Sequence, residues 1–382
     1  MSRKSKKNIQ QGISGTAVAT PLVSGSAVAP AYMVGGKYQL EEIAGTGGMA
    51  NVWRATMKGP GRFRRTVAVK HMHSHLKENT QYREMFFEEA RVGAELQDGN
   101  IVQTYDFIEE YGEYFLIMEW IEGINLYTYA QYVNKMKSRT RWELAVAIGI
   151  GVLRGLSAAH EYVDDAGRPT PILHRDVSPH NILISEKGMA KLIDFGLALA
   201  SDRLSAPTPP DVAKGKLSYM APEVLQGGKA THLSDQFAVG NLLWETLAGR
   251  RLFTGESDRD VFNQIISGNI PPLNKLRPDV PKPLLKVIGR ALSADPAKRY
   301  ASARDMALEL TNVLRIVRVQ DDFYELLAQS VHAARVEFNL GRRTQAPWED
   351  DESASEESEI AIELKDKTIT RRFFEKITSF MR

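Results

Sequence analysis

The sequence contains no cysteine, which excludes disulfide cross-links and thiolate metal sites and is compatible with a reducing compartment. It also lacks a strong charge bias. Its 49 Lys and Arg residues nearly balance 47 Asp and Glu, leaving a net charge of +2, so a general nucleic-acid coat is not expected. Long hydrophobic runs are missing too. The longest, Leu144 to Leu153, falls short of the roughly 20 residues needed to cross a bilayer and reads as a buried helix between Glu143 and Arg154. Arg3, Lys4, Lys6 and Lys7 precede a mildly apolar stretch, a superficial echo of an export signal. Gly12, Gly15, Pro21, Ser24, Gly25 and Ser26 interrupt it, and a cytoplasmic location is expected.

What is present is an ordinary globular composition, 43% hydrophobic and 25% charged over 382 residues, enough for one large two-lobed domain with tails. Residues 1–36 read as a flexible leader rich in Gly, Ser, Thr, Ala and Pro. Tyr38–Ala44, Asn51–Met57 and Thr66–His71 have strand character, Arg83–Leu96 has helical spacing, and Ile101–Ile108 and Tyr114–Trp120 return to strand. After Asn125 the apolar spacing is helical through Trp142–Tyr162, Ser234–Ala248, Asp258–Ile266, Pro283–Leu292 and Ala303–Leu314. The expected class is therefore α+β, with an N-lobe over about 37–120, a C-lobe over about 121–316 and a cleft between them. A helical extension is expected over 317–348, an acidic linker over 349–368 and a short basic amphipathic helix over 369–382, which could meet a partner or an anionic membrane surface.

Between the first two strands lies Gly45-Thr46-Gly47-Gly48-Met49-Ala50. Glycines allow backbone N–H groups to approach phosphate oxygens, although such a turn alone is most often just a tight hairpin. A dinucleotide fold would require a helix next, where Asn51-Val52-Trp53 looks like a strand, and no Gly-Lys-Ser/Thr closes a P-loop. Lys70 ends the next apolar strand and could hold nucleotide phosphates if a carboxylate oriented it. Glu89 shares a helix face with Phe86 and Leu96 and is the candidate, while Glu88 reads as a surface charge. The decisive stretch runs from Ile172 to Ile184 and offers Asp176 and then Asn181 on a polar loop. A second strand ends at Asp194-Phe195-Gly196. One carboxylate to accept a hydroxyl proton, with hard oxygen ligands for Mg²⁺, is what phosphoryl transfer needs.

With those motifs in order, the chain from about Tyr38 to Ile316 resembles the Hanks-type, eukaryotic-like bacterial serine/threonine protein kinases. The resemblance implies a protein kinase fold, with a small β-rich N-lobe carrying one key helix, a larger helical C-lobe, and ATP in the cleft. It implies Asp176 as catalytic base, Asn181 and Asp194 as Mg²⁺ ligands, and Lys70 paired with Glu89 on the α- and β-phosphates. Ile43, Gly45, Gly47, Gly48, Val52, Ala68 and Leu183 would enclose the nucleotide. Met118 would be the gatekeeper, with hinge hydrogen bonds from the backbone of Glu119 and Ile121. His174 and Phe195 would pack the loops, Glu223 would pair with Arg299, and Asp235 would anchor the catalytic loop. Protein substrates are the implied partners.

Three departures stand out. Ala50 replaces the third loop glycine. Ser178 stands where serine/threonine kinases usually place a lysine, and Lys216 stands where the family usually has a threonine. Two readings of Lys216 are open: it supplies from the activation segment the charge absent at Ser178, or it is a solvent-exposed loop lysine and transfer is simply slower. Arg175 before the base implies a regulatory phosphate on the activation segment, with Thr208 favoured, then Ser205, among candidates that include Ser201 and Ser218.

Overall fold

Strand alternation beginning at Met33 builds the N-lobe. The structure is a computed structural model that describes residues 32–195, 217–319 and 321–340. Its first sheet has the order β1-β2-β3-β4-β6-β5. These strands are Met33–Val34 (β1), Tyr38–Thr46 (β2), Ala50–Lys58 (β3), Arg64–Met72 (β4), Thr104–Glu110 (β5) and Glu113–Glu119 (β6). Period-two alternation decides what each face does. Val67 and Val69 are fully buried against Tyr38, Phe115 and Ile117, so Ala68 and Lys70 must turn to the opposite face. Register places Val52 across from Lys70 and Met118 across from Ala68 on that face. The helix α1, Thr80–Glu95, packs there. Asn79 caps it by accepting from the N–H groups of Gln81 and Tyr82.

The C-lobe surrounds α3, Trp142–His160, the one described helix long and apolar enough to cross a bilayer. Of its most apolar window 83% is buried, which makes it a core helix here. The lobe is completed by α2 (Leu126–Lys135), α4 (Pro222–Leu225), α5 (His232–Ala248), α6 (Asp258–Ser267), α7 (Leu273–Leu276), α8 (Lys282–Ala291), α9 (Ala303–Val317) and α10 (Phe323–Glu337), of which α5, α9 and α10 pack most against α3. A second sheet, β7 (Gly123–Asn125), β8 (Ile182–Ser185) and β9 (Ala190–Leu192), lies below the interlobe connection.

Two local readings are corrected. The stretch 1–36 is not leader to its end, because Met33 and Val34 pair with Gln39 and Tyr38 and Val34 is fully buried; a two-residue strand has no periodicity to detect. Ile101 is not in β5. It makes a single parallel bridge to Leu192, with Val102 N–H donating to the Leu192 carbonyl at 2.9 Å, and so belongs to the C-lobe core. Helix α2 lies in the stretch after Asn125 expected to be helical, although its Tyr127, Tyr129 and Tyr132 individually favour strands. Burial of Tyr129 and Tyr132 and an Asn125 cap override that preference. Lys216, Ser201, Ser205, Thr208, most of the leader, the linker 349–368 and the helix 369–382 lie outside the described residues.

Candidate active site

Lys70 reaches the cleft because its neighbours Val67 and Val69 anchor the strand from behind. Its Nζ lies 2.6 and 2.8 Å from the two Glu89 carboxylate oxygens and 2.8 Å from Asp194 Oδ1. Lys70 is 5% exposed and Glu89 4%, so the ammonium is dry and donates to both carboxylates at once. Burial alone would lower the Lys70 pKa, but the charges of Asp194 and then Glu89 outweigh it and raise it. Burial pushes Glu89 upward, and the nearby Asp194 charge adds to that, against the pull of Lys70. Asp194 is held below the usual carboxylate range: burial opposes this, and the Lys70 charge overcomes it.

The catalytic loop is held in place from beneath. Asp235 in α5 is 2% exposed and accepts from the backbone N–H of His174 at 3.0 Å, of Arg175 at 2.9 Å, and from His160 Nε2 at 2.8 Å. These contacts hold Arg175 at φ 62°, a left-handed conformation that non-glycine residues seldom adopt. Asp194 has φ 61° as well, so both loops turn sharply where they face one another. His174, fully buried, ties them together. Its Nδ1 accepts from Asp176 N–H at 3.3 Å and its Nε2 donates to the Ile193 carbonyl at 3.0 Å, which assigns the ring proton to Nε2. Phe195 packs on the same ring at 4.6 Å. Asn181 Nδ2 donates to the Asp176 carbonyl at 2.9 Å, and the Asn181 carbonyl accepts from Ile193 N–H at 3.1 Å. With the amide nitrogen committed, the Asn181 side chain presents its oxygen as the donor atom for a cation.

The glycine turn closes on itself, Gly47 N–H donating to the Ala50 carbonyl at 2.9 Å. Among the described residues, a Cβ added at Gly45 or Gly48 would meet no atom within 4 Å, so the turn opens onto free space there. Ile43 is exposed above the cleft at the bulge preceding this turn, and Leu183 stands in β8 opposite Asn125 and Lys191. Met118 and Glu119 end β6, and Trp120, Ile121 and Glu122 connect to β7. Glu119 N–H is engaged with the Gln103 carbonyl at 2.8 Å.

Some contacts escaped the sequence. The Glu119 side chain takes Lys191 at 2.7 Å, a pair whose signal was a lysine inside the apolar strand Ala190-Lys191-Leu192. Tyr127 stacks on His180 at 4.3 Å, one residue before Asn181. The expected pairing of Glu223 with Arg299 is present: the Arg299 side chain, fully buried, meets both Glu223 oxygens at 2.7 and 2.8 Å.

With this geometry in hand, the sequence profile of the family described as the protein kinase domain matches residues 38–310. The chain belongs to this family. Its relatives are bacterial kinases of the eukaryotic-like type. It is 35% identical to a protein named tyrosine-protein kinase MasK of Myxococcus xanthus, over 76% of this chain and 45% of that protein. It is 31% identical to serine/threonine-protein kinase PrkC of Bacillus subtilis, over 75% of this chain and 42% of that one. To PknH of Mycobacterium tuberculosis it is 34% identical, over 72% and 41%. The chain thus spans less than half the length of these relatives. The crystal structure of the Mycobacterium tuberculosis PknI kinase domain matches with a TM-score of 0.54 at 25% identity, covering 75% of this chain and 99% of that one, and shares the kinase fold.

Proposed function

We propose that this kinase-domain chain transfers the γ-phosphoryl group of ATP to Ser or Thr hydroxyls on protein substrates. The observation that carries the reading is the convergence of Lys70, Glu89 and Asp194, while Asn181 is tied to the carbonyl of Asp176. The residues fit a magnesium nucleotide. The glycine turn leaves its Cβ positions open, the dry Lys70 ammonium suits the α- and β-phosphates, and Asn181 and Asp194 offer hard oxygen ligands. Bound Mg·ATP would supply the transferable phosphoryl group. Asp176 would accept the substrate hydroxyl proton, and Val52, Ala68 and Leu183 would enclose adenine, with Met118 as gatekeeper and backbone contacts from Glu119 and Ile121. Incubation with γ-labelled ATP, Mg²⁺ and a generic protein, beside the Asp176→Asn form, tests this reading; label transferred equally by both, or by neither, removes it.

Two points refine the proposal. Ser178 is 7% exposed and supplies no cation, so Lys216 is proposed to bring the charge to the γ-phosphate from the activation segment. An unchanged turnover number in Lys216→Ala would refute that role. The Myxococcus xanthus relative carries a tyrosine-kinase name, whereas Pro179 favours a Ser/Thr acceptor. Phosphoamino-acid analysis of the labelled product separates the two, with phosphoserine or phosphothreonine expected.

A further inference from the structure

Helix α10 lies beyond residues 38–310, the span matched by the kinase-domain profile, yet its contacts run to the connection between the lobes. It is seated firmly. Leu327, Val331 and Ala334 are fully buried, and Asp322 caps the helix by accepting from Tyr324 and Glu325 N–H. Asp321, just before the cap, pairs with Arg141 at 2.7 Å. Gly188, in the β8–β9 turn, has φ 72°, and a Cβ there would come within 2.1 Å of the Tyr324 carbonyl oxygen. The helix start and the hairpin that carries Leu183 are therefore in direct backbone contact.

One side chain of α10 reaches the hinge. Arg335, 12% exposed, lies 2.7 Å from Glu122 Oε2 and 3.1 Å from Glu186 Oε1. Glu122 follows Ile121 directly. Its other oxygen, Oε1, accepts from Trp120 Nε1 at 2.9 Å, and its backbone carbonyl accepts from Glu186 N–H at 2.7 Å. A single guanidinium thus joins the hinge to the turn after the strand that forms the lower wall of the cleft. Its planar fork matches that task, because two carboxylates from separate segments must be held at fixed spacing.

We infer that Arg335 is a positioning residue for nucleotide binding, acting from outside the family-matched domain by fixing Trp120-Ile121-Glu122 relative to β8. This rests on the ATP-binding reading above. Arg335 touches no nucleotide; it sets the distance between the hinge backbone and Leu183, on which adenine affinity depends. Pre-setting that distance lowers the ordering cost of binding.

The test measures ATP affinity by titration calorimetry on the full chain, comparing wild type, Arg335→Gln and Glu122→Gln with Glu337→Gln as control. Glu337 is on the same helix and pairs with Lys135 at 2.8 Å, away from the hinge. Arg335→Gln and Glu122→Gln are each expected to weaken ATP binding about fivefold, the size of one partly exposed ion pair, while Glu337→Gln leaves it unchanged. The weakening should appear in KM for ATP and not in KM for the peptide. ATP affinity in Arg335→Gln and Glu122→Gln equal to wild type overturns the inference, as does an equal loss in Glu337→Gln. Glu122→Gln, at a half-exposed side chain, answers the question if Arg335→Gln does not fold. A wild-type chain that binds no ATP overturns the ATP reading itself, so the two failures are distinguishable.

Discussion

Replacing Asp235 by Asn would change one oxygen for an amide nitrogen at constant shape, in a site that is 2% exposed. The carboxylate accepts three hydrogen bonds, and Oδ2 serves two of them, from His160 and the His174 backbone. An asparagine would keep its oxygen there and turn its NH₂ toward the Arg175 N–H, which donates to Oδ1 at 2.9 Å in the native chain. One charge-assisted hydrogen bond is lost and a donor is set against a donor, so the cost is about 3 kcal/mol. Arg175 is held at φ 62° by that bond, and Asp176 is the next residue. Relaxation of the strained backbone should displace Asp176 and lower turnover about a hundredfold. Burial would raise the Asp235 pKa, but the His160 contact, then His174 and the Arg175 N–H, hold it below the ordinary 3.8. The ionised form therefore stabilises the fold above pH 3.8, and that contribution is lost as pH falls below this value toward the depressed folded pKa. The stability gap between wild type and Asp235→Asn should narrow over that acid range. Urea titration with an unchanged slope measures the gap, and a difference under about 0.5 kcal/mol at neutral pH would refute the anchoring argument.

Glu223→Ala would strand the fully buried Arg299 guanidinium, leaving it the carbonyls of Ser293 and Leu233 and the Phe237 ring face, and should cost about 3 kcal/mol in urea unfolding. Gly123→Ala would place a Cβ 2.1 Å from the Ile184 carbonyl oxygen, a backbone atom that cannot swing aside. It should destabilise the chain by about 3 kcal/mol and weaken ATP binding as β7 parts from β8, measured by thermal melting and calorimetry.

The chemistry-bearing residues were legible because each type is demanding in its place. A lysine ending an apolar strand and a glutamate on the apolar face of a helix are both expensive unless they meet, and Lys70 and Glu89 meet across 19 residues. Asp176, Asn181 and Asp194 were legible as a set from their short spacing. The left-handed backbone of Arg175 and Asp194 was not, because it is imposed by Asp235 from a helix 60 residues away and by the packing of His174. The Glu119–Lys191 pair and the reach of Arg335 to Glu122 were hidden for the same reason. Long-range partners leave no periodicity, and a surface-like arginine in α10 carries no mark of its destination. Helix α2 shows the opposite conflict, where tyrosines that favour strands locally are overruled by burial.

The central claim is that Asp176 takes the proton of a protein hydroxyl as phosphate is transferred from ATP. Label transfer from γ-labelled ATP to protein, measured at saturating Mg·ATP for wild type and Asp176→Asn of matched melting temperature and ATP affinity, tests it most directly. The account predicts transfer by the wild type and a fall of about a thousandfold in the variant. Undiminished transfer by the variant, or none by the wild type, would contradict it.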